Sequence, residues 1–88
     1  MPYRITEFQP TPNPNALKCI LDQPISPGPR SFLNAGAAAE DPLARALFEV
    51  EGVTCILMNG GWMTVNKRAE MAWSKVKPAI VRVLRDAE

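Results

Sequence analysis

The sequence predicts an α+β domain: a two-layer β-β-α-β-β-α fold in which an antiparallel sheet carries its helices on one face. Three stretches carry that expectation. Residues 42–52 read as a capped amphipathic helix with a glycine stop. Residues 53–67 read as two apolar strands about a tight turn. Near the C-terminus Trp73, Val76, Ile80, Val83 and Leu84 fall at i, i+3, i+7, i+10 and i+11, one helical stripe. With 88 residues the chain makes a single domain, 1–88, and buries roughly 60–65% of its unfolded surface, enough for one modest core.

In chain order, Tyr3 to Gln9 reads as a short strand of imperfect alternation, with Tyr3 and Ile5 on one face and Phe8 on the other. Pro10 to Asn15, Pro-Thr-Pro-Asn-Pro-Asn, is a stiff connector. Its prolines fix φ and remove three donors, and its asparagines can close Asx turns. Ala16 to Asp22 is a second strand, with Leu17, Cys19 and Leu21 as the buried face. Gln23 to Ser31 holds three prolines and a glycine and reads as a loop, with a brief extended piece at Ser31 to Leu33. Asn34 caps a short helical turn through Ala37, Ala38 and Ala39.

Asp41 then N-caps the central helix, and Pro42 occupies the first helical position, where a missing N–H is harmless. Leu43, Leu47 and Val50 share a face, with Ala46 between them, and Gly52 ends the helix in the left-handed conformation. Val53 to Met58 is a strand, and Asn59-Gly60 supplies a two-residue type I′ turn. That turn sets Leu57 opposite Trp62, Ile56 opposite Met63 and Thr54 opposite Val65. Thr54, Ile56, Met63 and Val65 then face the helices, while Cys55, Leu57, Trp62 and Thr64 face out. The last helix is expected from Ala69 to about Asp86. Pro78 imposes either a kink or a hand-over from a first turn to a second helix.

Composition narrows the chemistry. Hydrophobic content of 47% with 22% charged residues is that of a globular domain. A net charge of +1 gives no field to draw nucleic acid or an anionic membrane. The halves differ: residues 1–60 hold four basic and six acidic side chains, residues 61–88 six and three. The chain has no histidine, so it lacks the commonest general base and transition-metal ligand. No apolar run reaches the ~20 residues that span a bilayer. The first ten residues, with Arg4, Glu7 and two prolines, do not read as a signal peptide. A cytoplasmic protein with reduced thiols is expected.

Few residues remain as candidates for function. Cys19 and Cys55 form no Cys-x-x-Cys pair. They are either weak metal candidates, half of a cluster ligand set completed by an oligomer, or small core hydrophobes. Glu40, Asp41, Glu49 and Glu51 line one helix without a pocket to shift a pKa. Asn59-Gly60-Gly61 opens no helix and is a turn, not a phosphate cradle. Lys75, Lys77, Arg82 and Arg85 are basic, but Trp73 beside them belongs to the apolar stripe, and nucleic acid is not expected as a partner. The connector Thr11, Pro12, Asn13, Pro14 and Asn15, with Lys18 and an outward Trp62, is the best candidate for contact with a partner. A rigid loop loses little entropy on docking, and tryptophan is enriched at binding hot spots.

The segments Thr11-Pro-Asn-Pro-Asn-Ala-Leu-Lys18, Pro42-Leu-Ala-Arg-Ala-Leu-Phe48, Glu51-Gly-Val53, Thr64-Val65 with Lys67, and Trp73 with Lys77-Pro78 and Ile80 resemble the N-terminal domain of Nfu-type iron–sulfur cluster scaffold proteins. The likeness spans nearly the whole chain in order, and Thr-Pro-Asn-Pro-Asn before a strand is its most specific part. It implies a β-β-α-β-β-α domain and an accessory role in contacts with assembly partners or client apoproteins. In that family the cluster sits on a Cys-x-x-Cys motif in a separate C-terminal domain, which this chain lacks, so no ligand carries over. Cys19 stands where the family usually has an aromatic residue, and Gly61-Trp62 where it has an acidic–aromatic pair. The chain is thus similar to a stand-alone copy of the module, or to a piece cut from a longer protein of that kind.

Together these readings predict a non-catalytic interaction module. It would dock on iron–sulfur assembly proteins or client apoproteins, with no cofactor of its own and with self-association through a sheet edge. An iron–sulfur cluster would reach it only through a partner or an oligomer. The competing reading is direct iron or cluster binding through cysteines of an oligomer.

Overall fold

A computed structural model describes residues 3–86. The chain runs β1 (Ile5–Pro10), β2 (Ala16–Leu21), β3 (Ser26–Phe32), a 3-10 turn (Gly36–Ala38), α1 (Pro42–Phe48), β4 (Val53–Gly60), β5 (Trp62–Lys67) and α2 (Trp73–Asp86). The five strands form one antiparallel sheet in the order β1-β2-β5-β4-β3. The two-layer α+β architecture is as the sequence predicts, with one strand more. Residues 1, 2, 87 and 88 of the expected domain lie outside the described residues.

The core lies between the inner face of the sheet and the two helices. Cys19 and Leu21 of β2, Ile56 and Met58 of β4, and Met63 and Val65 of β5 meet Ala44 and Leu47 of α1 and Val76, Ile80 and Leu84 of α2. Leu17 is buried on the same strand face, so the expected Leu17/Cys19/Leu21 face holds. Leu47 is fully buried, whereas Leu43 and Val50 are only half-buried and pack at the margin. Asp41 caps α1 as expected, its Oδ1 accepting from the N–H groups of Leu43 at 3.0 Å and Ala44 at 3.1 Å. Asn34 Oδ1 likewise accepts from Ala37 N at 2.8 Å.

The helix ends at Phe48, with Glu49 as its C-cap, earlier than the expected stop at Gly52; Gly52, at φ 96°, instead turns the chain into β4. It is required twice over: a Cβ there would come within 2.6 Å of Met71 Cγ.

Several expectations need correction. The loop expected over Gln23 to Ser31 contains β3, which pairs with β4. Pro27 and Pro29 fit because β3 is an edge strand, where a missing N–H breaks no ladder. A register irregularity between Ser26 and Arg30 accommodates them, while Ser26 and Phe32 anchor the ends in the core. The β4–β5 turn sits one residue later than expected, on Gly60-Gly61. Asn59 pairs with Trp62, Leu57 with Thr64, Met58 with Met63 and Ile56 with Val65. Only Gly60 has positive φ, 57°, which matches type II′ rather than I′. The slip preserves the faces, because moving a turn by one residue shifts each cross-strand partner by two.

Thr54 does not face the core, because a register shift between Val53 and Cys55 leaves it exposed. A similar shift between Ile5 and Glu7 brings Ile5 opposite Leu21 and Phe8 opposite Cys19. Both therefore join the inner face, against the expected separation. Finally, α2 begins at Trp73 rather than Ala69 and runs unbroken to Asp86 with Pro78 inside it, so no second helix forms.

Candidate functional site

The helices cover one face of the sheet only, and the candidate residues fall on the other face and at one end. Alternation along β2 turns Lys18 and Ile20 outward, opposite Thr64 and Trp62 of β5. On β4 the same phase holds Cys55, Leu57 and Asn59. Every one of these residues is half-buried, whereas their inward neighbours Met63, Val65, Ile56 and Cys19 are fully buried. The centre of this open face is Trp62. Ile20 is its cross-strand neighbour, and the Lys18 ammonium lies 4.7 Å from its ring centroid. The cation holds the indole against the sheet and keeps it wet at one edge. Two backbone bonds steady the strand end beside it: Leu21 N donates to Gly61 O and Ile25 N to Gly60 O, both at 2.8 Å.

The structure brings Lys18 and Trp62 together but not the Thr11–Asn15 connector. That connector adjoins the Ala16–Asn66 end of the sheet, four strand residues from Trp62, roughly 13 Å at ~3.3 Å per residue.

The connector's polar groups turn inward on themselves. Thr11 Oγ1 donates to the carbonyls of Asn13 at 2.9 Å and Ala16 at 3.0 Å and accepts from Asn13 N at 3.2 Å. Asn13 Oδ1 accepts from Asn15 N at 2.9 Å, an Asx turn. Pro12, Asn13 and Pro14 remain exposed.

Two residues outside the expected site complete this loop. The Trp73 indole N–H donates to Pro14 O at 3.0 Å. Lys67 N donates to Asn15 O at 2.8 Å. The Lys67 ammonium, on a residue only 8% exposed, donates to Asn15 Oδ1 at 3.1 Å and to Arg68 O at 3.4 Å. It also lies 5.3 Å from the Trp73 ring centroid. The connector is thus a latch that ties the β1–β2 hairpin to the end of β5 and the start of α2. A signal for it was present: Met63, Val65 and Lys67 alternate, so Lys67 points inward with a charge that needs partners. A half-buried indole N–H likewise needs an acceptor.

The thiols lie on opposite faces of the sheet. Cys19 is fully buried and opposite Met63. Desolvation pushes its thiol up to about 12, against a smaller downward pull from the Lys77 ammonium. Such a thiol is inert. Cys55 is half-buried on the open face. One copy therefore cannot close both sulfurs on a single ion. Among the described residues no three His, Cys, Asp or Glu side chains cluster to hold a metal. Asp41, beyond its cap, pairs with Arg30 at 2.7 Å. No helix of the described residues is long and apolar enough to cross a membrane.

Comparison with known proteins adds to this geometry. Residues 5–87 match the sequence family described as "Scaffold protein Nfu/NifU N terminal". The chain is 37% identical over 86 residues to human "NFU1 iron-sulfur cluster scaffold homolog, mitochondrial", covering 96% of this chain and 34% of that protein. It is 34% identical over 81 residues to "NifU-like protein 5, mitochondrial" of Arabidopsis thaliana, covering 91% of this chain and 30% of that one. The chain thus spans about a third of the length of these relatives. Among solved structures, a NifU-like protein from Saccharomyces cerevisiae is similar at TM-score 0.77 and 25% identity, over 93% of this chain and 76% of that one. A Staphylococcus aureus protein has the same fold at TM-score 0.76 and 22% identity, over 91% of this chain and 96% of that one.

Proposed function

This chain belongs to the Nfu/NifU N-terminal family, and from that premise we propose that it is a non-catalytic interaction module of iron–sulfur cluster assembly or delivery. It docks on an assembly protein or a client apoprotein through the open face of its sheet. One observation carries the reading: the uncovered face presents Trp62, Ile20 and Leu57, with Lys18 stacked on the indole. A tryptophan that is half-buried and ringed by aliphatic side chains is the usual anchor of a protein interface. The cluster is cargo in this reading and is held by the partner. The opposed positions of Cys19 and Cys55 support that division of labour.

The Thr11–Asn15 connector acts here by rigidifying the sheet end, with Pro12 and the Asn13 side chain as its outward parts. Self-association, where it occurs, uses the β1 edge, because Pro27 and Pro29 blunt the β3 edge. The module works in the cytoplasm; the relatives named above are labelled mitochondrial.

The test is affinity capture with the tagged chain, followed by identification of captured iron–sulfur assembly proteins or cluster-containing clients. Trp62→Ala and Lys18→Ala are run alongside. Capture that is lost in Trp62→Ala and reduced in Lys18→Ala is expected, with far-UV circular dichroism unchanged. Equal capture by wild type and Trp62→Ala, or recovery of no iron–sulfur protein, refutes the reading.

A further inference from the structure

Where β1 begins and α2 ends, a cleft of about 500 Å³ opens between Tyr3, Arg4, Asp22, Val81 and Arg85. Backbone bonds hold its frame. Tyr3 N donates to Leu84 O at 2.9 Å, which ties the start of the chain to the last turn of α2. Asp22 N donates to Arg4 O, and Asp22 Oδ1 accepts from Arg4 N, both at 3.0 Å. The Asp22 carboxylate is thereby engaged by the backbone. Among the described residues the Arg4 guanidinium has neither hydrogen bond nor ion pair.

The cleft continues onto the outer face of α2. Lys75, Pro78, Val81, Arg82 and Arg85 fall at i, i+3, i+6, i+7 and i+10, and all are exposed. Val81, at 38%, is one of two large hydrophobic side chains left exposed among the described residues. Arg85 meets Asp86 at 3.2 Å, while Lys75 and Arg82 have no partner among the described residues. The surface is therefore an aliphatic spot ringed by cations, on the side of α2 that faces away from the sheet.

We propose that this cleft and the outer face of α2 form a docking site for an acidic segment of a partner protein. An aliphatic side chain of that segment seats against Val81 and Pro78, and its carboxylates are received by Arg4 and Arg85 in the cleft and by Arg82 beside it. Charge complementarity selects this occupant. Planar guanidinium groups suit carboxylates, which they bind in a bidentate fork, and a concave apolar floor suits a side chain. Nucleic acid fits less well, since successive bases stack on several aromatic side chains, whereas the α2 stripe has none and the cleft has Tyr3 alone. A lipid surface also fits less well, since one valine and one proline offer little to insert. Helix α2 packs on the face of the sheet that carries Met63 and Val65, whereas Trp62 lies on the other face, so the site is tested separately from the open sheet face.

The probe is a fluorescein-labelled peptide of glutamates interleaved with leucines, titrated with the whole chain and read by fluorescence anisotropy. Comparison probes are the same peptide with lysine for glutamate, the same with serine for leucine, a single-stranded RNA, and phosphatidylserine-containing vesicles. The acidic leucine peptide binds best, and more weakly as salt is raised. Replacing both Arg4→Gln and Arg85→Gln weakens it about tenfold, and Val81→Ser about fivefold. Trp62→Ala leaves it unchanged. Arg82→Gln, on an exposed helix position, repeats the test should Arg4→Gln disturb folding by circular dichroism. The proposal is overturned if the acidic peptide does not bind, if its binding ignores the arginine variants or the loss of its leucines, or if RNA or vesicles bind in preference.

Discussion

Substituting Lys67→Met and Asn15→Ala, singly and together, measures the latch at the end of the sheet. The ammonium of Lys67 donates to Asn15 Oδ1 at 3.1 Å, a charge-assisted bond that contributes about 1.5–3 kcal/mol. Its position 5.3 Å from the Trp73 ring centroid adds roughly 0.5–1 kcal/mol. Methionine keeps the length of the side chain and removes the desolvation penalty of a charge on a residue only 8% exposed, which offsets part of the loss. The net expectation for Lys67→Met is about 1–3 kcal/mol of destabilisation. At about 4–8 °C per kcal/mol for a domain this small, 2 kcal/mol lowers Tm by about 8–16 °C. The backbone bond from Lys67 N to Asn15 O survives both substitutions, so the double-mutant cycle isolates the side-chain pair. Urea unfolding followed by far-UV circular dichroism should give a coupling energy of about 1.5 kcal/mol or more. A coupling below about 0.5 kcal/mol, the ordinary scatter of additivity, would refute the Lys67–Asn15 side-chain pair as a working part of the latch.

Three further expectations follow from the packing. Gly52→Ala forces a Cβ into the left-handed region, about 1–2 kcal/mol, and onto Met71 Cγ, about 1–3 kcal/mol of overpacking. An unfolding midpoint equal to wild type would contradict that account. The buried Cys19 thiol, raised to about 12, stays protonated in the folded state while the unfolded chain's thiol ionises near its usual ~8.5. Its contribution to stability is therefore complete below the unfolded value and is lost as pH rises from there through 12, with a slope of up to about 1.4 kcal/mol per pH unit. Cys19→Val should remove that slope, and identical profiles for variant and wild type would show that the thiol is not the cause. Alkylation by iodoacetamide near neutral pH should label Cys55 and spare Cys19 until the protein unfolds; equal labelling rates would place Cys19 in contact with solvent.

What the sequence disclosed depended on whether the signal was local. The cap at Asp41 and the left-handed conformation of Gly52 are carried by single residues and their immediate neighbours, and both formed as expected, although the helix itself stops at Phe48. The inner face of Ile56, Met63 and Val65 was legible from alternation alone. It survived the misplaced turn, because a turn shift of one residue preserves parity. Strand β3 was hidden because three prolines read as a loop wherever a strand is imagined with two neighbours, and only its place at the sheet edge makes Pro27 and Pro29 harmless. The register shifts beside Thr6 and Thr54 depend on the partner strand, which no local pattern shows. Trp62 was correctly turned outward, but its pairing with Lys18 required the β2–β5 register. The ends of the latch, Asn15 and Lys67, lie 52 residues apart in sequence, so no local pattern shows the clasp.

That last difference separates two things the sequence presents together. The motif on which the family resemblance rests most specifically, Thr11 to Asn15, uses its hydroxyl, its Asn13 amide oxygen, the Asn15 side chain and the Pro14 carbonyl inside the molecule. In the proposed reading, selection of a partner falls on side chains that the fold leaves unspent, and Trp62, Ile20 and Leu57 on the open face are such a set. The two groups should respond oppositely to substitution. Asn15→Ala or Trp73→Phe should lower stability by about 1 kcal/mol or more through a lost hydrogen bond, while partner capture at temperatures well below Tm stays intact. Trp62→Ala should abolish capture while shifting the unfolding midpoint little, because the indole is half in water already. If the latch variants instead lose capture with the fold intact, the connector itself touches the partner, and the open face is only the back of a sheet.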